Sequence, residues 1–148
     1  MPGSIDVNDP SKLNRFIQAQ ERVYSNVLAE LKSGHKTTHW MWFIFPQILG
    51  LGHSPTAKLY AIKNLDEASQ YLNHSLLGAR LLECSETLLG INGRSVTDIF
   101  GWPDDLKLKS SMTLFLCVTG SDSVLDEVLN RFFQGEQDTS TLQLLGKC

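Results

Sequence analysis

The sequence is poor in cysteine and has no long hydrophobic run. Its three cysteines, Cys84, Cys117 and Cys148, are far apart and form no CxxC pair, which argues against a disulfide scaffold or a zinc ribbon. The longest apolar stretches, 40–45 and 114–118, are far shorter than the roughly 20 residues that cross a bilayer. The N-terminal segment lacks the cationic start and apolar core of a secretory signal. We therefore expect a cytoplasmic protein without a membrane partner, two of whose thiols are buried.

Positive charge is also in short supply. Thirteen Lys and Arg stand against sixteen Asp and Glu, giving a net charge of −3, and the cations form no stripe. This balance argues against nucleic-acid binding. The sequence contains no GxGxxG, P-loop or GxSxG pattern, and Gly50-Leu51-Gly52 is too short to cradle a phosphate. We expect no cofactor.

Helical spacing of apolar residues dominates the chain. Intervals of three and four predict one long amphipathic helix that starts at Asp9-Pro10 and ends at Gly34. Cap residues and glycine stops predict further helices, at 55–62, 64–72, 76–89, 95–100, 104–120, 123–135 and 139–145. Because no alternating segment is longer than a few residues, the predicted fold class is all-α. The length predicts a single domain: a flexible leader over residues 1–8, then one helical domain over 9–148.

The stretch from His35 to His53 is the most aromatic part of the chain. It is apolar on every side, so its period cannot separate a buried strand from a buried helix. Pro46 favours a helix, capped by Thr37 or Thr38, because a central strand would lose a ladder hydrogen bond. We expect a compact bundle of about seven or eight helices around this central aromatic-rich helix. Its large rings are Trp40, Trp42, Phe43 and Phe45.

Two histidines in this stretch, His35 and His39, are four residues apart, a spacing that on a helix can bind zinc. The Glu of an HExxH pattern is missing, and Gly34 places His35 before the helix. We expect no metal site, with His35 solvated and His39 hydrogen-bonded to a neighbour.

The segment 101–111 combines a helix start, charged side chains, hydroxyls and a tryptophan. A helix start suits an anion such as phosphate, Lys107 and Lys109 add positive charge, and Trp102 or Trp40 can stack on a base. The alternative is structural: Asp104 caps the helix, the lysines are solvated and the serines lie at a close helix contact. The polar candidates of this segment are Asp104, Asp105, Lys107, Lys109, Ser110 and Ser111.

Arg80 and Glu83 lie three residues apart on an otherwise apolar helix and share one of its faces. The ordinary interpretation is a surface ion pair. A buried Glu83 would instead be a candidate general acid or base.

Two motifs, HWMWFIFPQ at 39–47 and DDLKLKSSMTLF at 104–115, resemble the Domain of Unknown Function 1810 family. The similarity extends to DPSKLNRFIQAQERVY, LDEASQYL and LGARLLEC. It implies a compact all-helical fold and brings no settled activity. Some members carry a calpastatin label, but such an inhibitor is a long disordered repeat protein, and this chain is short and without repeats. The matching positions include His39, Trp40, Trp42, Pro46, Gln47, Arg80, Asp104, Lys107, Ser110 and Ser111.

A fainter similarity is to NADAR domains, which are tied to ADP-ribose and N-glycosidic bond hydrolysis. It lies in the order of a Trp-rich segment, a helix with Arg and Glu, and a Lys-bearing helix ending in Phe. Together the resemblances suggest a pocket for a phosphorylated nucleotide or ADP-ribose-like molecule. If this is an enzyme, an N-glycosidase-like or other hydrolase is expected, with Glu83 or Asp104 as the acid–base candidate.

In this hypothesis the predicted ligand-binding residues divide the work. Trp40 and Trp42 wall the pocket, and His39 and Gln47 give polar contacts. Arg80 is a further ligand-binding candidate. Lys107, Ser110 and Ser111 receive the phosphate. The alternative function is a non-catalytic interaction domain, in which the exposed side of the aromatic run docks a helix or peptide of a protein partner.

Overall fold

The computed structural model describes residues 13–120 and 123–146, and these residues form ten α-helices. The predicted leader, the helix start at Asp9-Pro10 and Cys148 lie outside the described residues. The helices are α1 (Asn14–Glu21), α2 (Tyr24–Ser33), α3 (Met41–Ile44), α4 (Pro55–Leu59), α5 (Leu65–Asn73), α6 (Leu77–Leu89), α7 (Val96–Phe100), α8 (Asp104–Thr119), α9 (Val124–Phe133) and α10 (Thr139–Leu144).

The all-α class is confirmed, but ten helices replace the predicted seven or eight. One cause is the break between α1 and α2, where the Val23 amide bonds to the Gln20 carbonyl three residues back. The buried Gln20 side chain also donates to the Phe43 carbonyl at 2.8 Å. The break lets α1 pack on α3 while α2 packs on α6. The predicted long helix is therefore two helices, because its first half packs on α3 and its second half packs on α6.

Helix ends set by local chemistry agree with the sequence patterns. The Asn64 side chain caps α5 by accepting from the Glu67 amide at 2.9 Å, and Ser95 forms a full capping box with Asp98 at α7. Gly34 closes α2 with φ +77°, where glycine is the least strained residue. The cap predicted at Asp104 is wrong: Pro103 is the N-cap, and Asp104 is the first residue of α8.

The aromatic run is not the central helix, and that expectation is wrong. Its helical part, α3, is a single turn. The element packed by most others is α8, against which α5, α7, α9 and α10 lie. Most residues of α8 from Leu108 to Leu116 are buried. The buried Thr113 hydroxyl is satisfied within the helix, because it donates to the Lys109 carbonyl at 2.8 Å.

The aromatic side chains instead form ring contacts through the core. Phe16 meets Tyr71 edge-on at 5.1 Å, and Tyr71 meets Phe115 at 5.2 Å, joining α1, α5 and α8. A second group joins Trp40, Phe45 and Phe100 at about 6 Å between ring centroids. Such pairs add to the stability that burial of the rings provides. This second group supports one wall of the cleft described below.

Within residues 13–120 and 123–146, no helix is long and apolar enough to span a membrane. Cys84 is buried and Cys117 is half-buried, and neither forms a disulfide bond within the described residues. Burial raises the pKa of the Cys84 thiol to about 12. A thiol with this pKa stays neutral at physiological pH and packs as a small apolar group.

Candidate functional site

A small cleft lies between the segment 36–42 and the first turn of α8. Its volume is about 80 Å³. It brings together five of the ten residues that the sequence predicts for the site. The lining residues are Lys36, His39, Trp40, Met41, Trp42, Asp104 and Lys107.

Two lysines share one carboxylate in this cleft. Lys36 Nζ lies 2.8 Å from one oxygen of Asp104, and Lys107 Nζ lies 3.1 Å from the other. Only 6% of the Lys36 side chain is exposed, against about a fifth of the other two. Two positive charges against one negative charge leave the trio with one uncompensated positive charge. We call Lys36, Asp104 and Lys107 the lysine–aspartate trio.

The two lysines settle the charge state of Asp104. Partial burial alone would raise the pKa of the Asp104 carboxyl, but hydrogen bonds from Lys36 and Lys107 outweigh it and hold the pKa below its usual 3.8. Asp104 therefore carries a negative charge at neutral pH and has no proton to donate.

Each lysine of the trio also lies over a tryptophan ring. The Lys36 ammonium is 5.0 Å from the centroid of Trp40, and the Lys107 ammonium is 3.9 Å from that of Trp42. Rings at this distance attract a cation through their electron-rich faces. The tryptophans thus help to hold both ammonium groups in place.

Glu30 at the end of α2 fixes the loop that carries Lys36 and His39. Its carboxylate accepts hydrogen bonds from the amides of Thr37 and Thr38 at 2.8 and 3.1 Å, and from the Thr38 hydroxyl at 2.6 Å. A fourth comes from the Trp40 indole at 2.9 Å. The prediction that Thr37 or Thr38 caps the aromatic helix is wrong, because the α3 N-cap is Trp40 and both threonines turn to Glu30.

The fourfold hydrogen bonding makes Glu30 a pH-dependent contributor to stability. Desolvation opposes ionisation, but the hydrogen bonds outweigh it and lower the carboxyl pKa from 4.5 to about 2. Because the folded-state pKa is depressed, this contribution is fully present above pH 4.5. It is lost as the pH falls from 4.5 towards 2.

We expect Glu30→Gln to lower the free energy of unfolding at pH 7 by about 1–2 kcal/mol, since a neutral amide is a weaker acceptor and offers one oxygen. The difference from the wild type should shrink between pH 4.5 and pH 3. Urea unfolding of both proteins at pH 4.5 and at pH 3 measures this change. Groups that titrate in both proteins contribute equally and cancel from the difference. A difference that stays constant with pH would show that the Glu30 charge is unimportant.

Arg80 and Glu83 lie away from the cleft and do not pair with each other. The Arg80 guanidinium lies 4.6 Å from the Tyr24 ring centroid and donates to the Gln20 side chain at 3.3 Å. Glu83 is exposed, so the alternative of a buried acid is wrong, and it accepts the Tyr24 hydroxyl hydrogen bond. Both residues thus position Tyr24.

Gln47 and the two serines are also outside the cleft lining. The Gln47 carbonyl accepts from the Ile62 amide at 2.8 Å, beside a short parallel bridge between Ile48 and Ile62. Ser110 donates to Asp138, the N-cap of α10, at 3.0 Å. Ser111 is fully buried, and its hydroxyl has no hydrogen-bond partner among the described residues. The hydrogen bond between Ser110 and Asp138 therefore connects α8 to α10.

The two histidines with the predicted zinc spacing, His35 and His39, lie in the loop between α2 and α3. Neither His35 nor His39 lies in a helix, so they share no helix face. Residues 13–120 and 123–146 contain no group of three His, Cys, Asp or Glu side chains placed to hold a metal ion. His39 lies exposed at the rim of the cleft.

The aromatic run presents no broad apolar surface. Trp40, Met41, Ile44 and Phe45 are buried, and Phe43 packs on Tyr60 with ring centroids 5.3 Å apart. The exposed large hydrophobic side chains of the described residues lie outside the aromatic segment 40–45. They are Leu49, Leu59, Leu82, Trp102, Leu106 and Leu144.

Sequence patterns missed Lys36 and Glu30. Both act through partners distant in the chain or on another element, and neither belongs to a motif. The one available signal was their position, since each flanks the aromatic run that supplies the tryptophans.

Comparison with known proteins gives the same fold and no activity. A family model described as "Protein of unknown function (DUF1810)" matches residues 10–145. The structure is similar to the crystal structure of the conserved hypothetical protein Rv1873 from Mycobacterium tuberculosis, with 48% sequence identity and a TM-score of 0.91. That match covers 95% of this chain and 100% of the other. No curated protein matches the chain.

Proposed function

The chain belongs to the DUF1810 family of proteins of unknown function, and we propose that its cleft binds the anionic group of a phosphorylated small molecule, such as a nucleotide or ADP-ribose. The observation that carries this proposal is the uncompensated positive charge of the lysine–aspartate trio. An anion that reaches the trio gains charge-assisted hydrogen bonds from ammonium groups already held in place.

The size of the cleft limits what enters it. A volume of about 80 Å³ is far below the roughly 300–1,000 Å³ of pockets that enclose a whole small-molecule ligand. It suits a group of a few heavy atoms, since one water molecule occupies about 30 Å³ in the liquid. In this proposal a phosphate group enters, and the rest of the ligand lies over the rim.

Each member of the trio has a distinct part in this proposal. Lys107, a fifth of which is exposed, contacts the anion directly. Lys36 is nearly buried and adds positive charge that attracts the anion. Asp104 binds both ammonium groups and keeps them in position. The exposed His39 is a further hydrogen-bond donor at the rim. The helix dipole of α8 contributes little, because its first turn carries two carboxylates.

The proposal is confined to binding. Of the two acid–base candidates, only Asp104 lines the cleft. The two lysines keep its pKa low and its carboxyl ionised at neutral pH, so it cannot act as a general acid there. Glu83 is exposed beside Tyr24 and is not part of the cleft lining. An N-glycosidase-like hydrolysis assay follows once binding is measured.

Lys107→Ala tests the proposal in isothermal titration calorimetry with inorganic phosphate, AMP and ADP-ribose. Removing one charge-assisted hydrogen bond should weaken binding about 10- to 100-fold. Lys109→Ala is the matched control, because Lys109 is equally exposed but pairs with Glu136 at 3.0 Å, outside the cleft lining. Its affinity should equal that of the wild type.

Two results would contradict the anion site. One is equal weakening by Lys107→Ala and Lys109→Ala, which would show a general effect of surface charge. The other is the absence of binding to every tested anion by the wild type, which would favour a protein partner. Urea unfolding of both variants separates lost binding from lost folding.

A further inference from the structure

Trp102 is the most exposed large hydrophobic side chain in the described part of the chain. It is 76% exposed, whereas the other exposed large hydrophobic residues range from 38% to 54%. Tryptophan is on average among the strongly buried residues, because its ring is the largest apolar surface of any side chain. An exposed tryptophan in an ordered turn is therefore a candidate contact surface.

The turn that presents Trp102 is held on both sides. The Gly101 amide bonds to the Thr97 carbonyl at 2.8 Å, and the Asp105 amide bonds to the Gly101 carbonyl at 2.9 Å. The Thr97 hydroxyl donates to the buried Asp105 carboxylate at 2.7 Å. Gly101 has φ +77°, a conformation that suits glycine. The exposure of Trp102 is thus fixed by the local structure.

Trp102 is close along the chain to the part of α8 that lines the anion cleft. It precedes Asp104 of the trio by two residues, and Cα atoms two residues apart are at most about 7 Å from each other. Leu106, four residues after Trp102, is a second exposed apolar side chain of this segment, with 51% of it exposed. A charged cleft and an exposed ring therefore lie next to each other along the chain.

The other two tryptophans are already engaged. Trp40 is 1% exposed, and its indole nitrogen donates to Glu30. Trp42 is half-buried, and one of its faces lies under the Lys107 ammonium at 3.9 Å. Of the three tryptophans in the chain, Trp102 has the most accessible ring.

We infer that the ligand is an aromatic phosphate, such as a nucleotide, whose base stacks on Trp102 while its phosphate lies in the cleft. This inference rests on the proposed anion site. The base, which the small cleft cannot enclose, would then lie on the exposed ring of Trp102. Stacking of a base on an aromatic side chain is worth about 5- to 150-fold in affinity, so Trp102 would select nucleotides over sugar phosphates.

The test compares three ligands by calorimetry: inorganic phosphate, ribose 5-phosphate and AMP. The wild type should bind AMP at least about 5-fold more tightly than ribose 5-phosphate. Trp102→Ala should abolish this preference without changing the affinity for ribose 5-phosphate. Trp102→Phe should retain most of the preference, and Leu82→Ala, which removes an exposed leucine on α6, should leave it unchanged.

Equal affinity of the wild type for AMP and ribose 5-phosphate would overturn the inference while the anion site stands. So would an equal loss of both affinities in Trp102→Ala. If the wild type binds none of the three ligands, the anion site and the stacking surface both fall, and Trp102 becomes a candidate contact for a protein. Trp102→Ala removes an exposed side chain, and an unchanged thermal midpoint checks that it folds.

Discussion

Replacing Gly78 by alanine is expected to lower the free energy of unfolding by about 3 kcal/mol or more, the upper range for overpacking. A Cβ atom at Gly78 would lie 2.0 Å from the Leu72 carbonyl oxygen and 2.8 Å from its carbonyl carbon. Both atoms are backbone, so no side-chain rotation relieves the clash. Alanine favours a helix by about 1 kcal/mol over glycine, and the clash outweighs this gain.

The neighbouring turn leaves little room for adjustment. The His74 ring nitrogen accepts from the Leu76 and Leu77 amides at 3.1 and 3.3 Å, and the Gly78 amide bonds to the His74 carbonyl at 3.0 Å. To move α6 away from Leu72, the chain would have to break these bonds. The close approach of α5 and α6 therefore requires glycine at position 78.

Gly90→Ala is the matched control for urea unfolding. Gly90 ends the same helix with φ −80°, which any residue can adopt, and a Cβ there would lie 3.4 Å from its nearest neighbour, the Thr87 carbonyl oxygen. We expect a change within about 0.5 kcal/mol. Equal stabilities of Gly78→Ala and Gly90→Ala would show that the α5–α6 contact is looser than described.

Asp104→Ala is expected to cost about 3 kcal/mol of folding stability, the lower end for breaking a buried ion pair. It removes the counter-charge of Lys36, whose side chain is 6% exposed. The double variant Lys36→Met/Asp104→Ala should recover most of the loss, because no unpaired charge remains buried. Urea unfolding of the wild type, both single variants and the double variant gives the coupling energy.

The same variant should respond to an anion with the opposite sign. Asp104→Ala raises the uncompensated charge of the cleft from one to two, so inorganic phosphate should raise its thermal midpoint more than that of the wild type. In effect, phosphate replaces the missing carboxylate. A variant that is destabilised but gains nothing from phosphate would separate the ion pair from the proposed binding site.

The pH dependence of the trio follows from the direction of the Asp104 shift. The folded-state pKa of this carboxyl lies below 3.8. Its contribution to stability is therefore present above about pH 3.8 and is lost as the pH falls below that value.

Features controlled by residues a few positions apart could be predicted from the sequence. Asn64 and Ser95 bond amides three residues ahead, so the caps are visible in the sequence itself. The break before Tyr24 is not visible, because it depends on which neighbours α1 and α2 meet after folding. The aromatic run misled for a similar reason: its composition shows burial but not that α8 is the element around which the others pack.

The residues of the candidate site were likewise predicted only in part. The HWMWFIFPQ and DDLKLKSSMTLF motifs located His39, Trp42 and Lys107, which the fold brings to one cleft. Ser110 belongs to the same motif but bonds Asp138, a partner that no local pattern indicates. Lys36 was missed because its role depends on the ion pair with Asp104, which only the folded structure shows.

We expect the two walls of the cleft to differ in the free energy of local opening. Asp104 and Lys107 belong to α8, and amides of a helix covered by four others exchange with solvent mainly through global unfolding. Across the cleft, His35, Thr37, Thr38 and His39 are exposed. Their loop is held by the Glu30 carboxylate and by the hydrogen bond from the Lys36 amide to the Ile99 carbonyl. We therefore expect this wall to open through smaller fluctuations than those that open α8. A bound anion that bridges both walls would slow amide exchange in residues 35–39 and leave α8 unchanged.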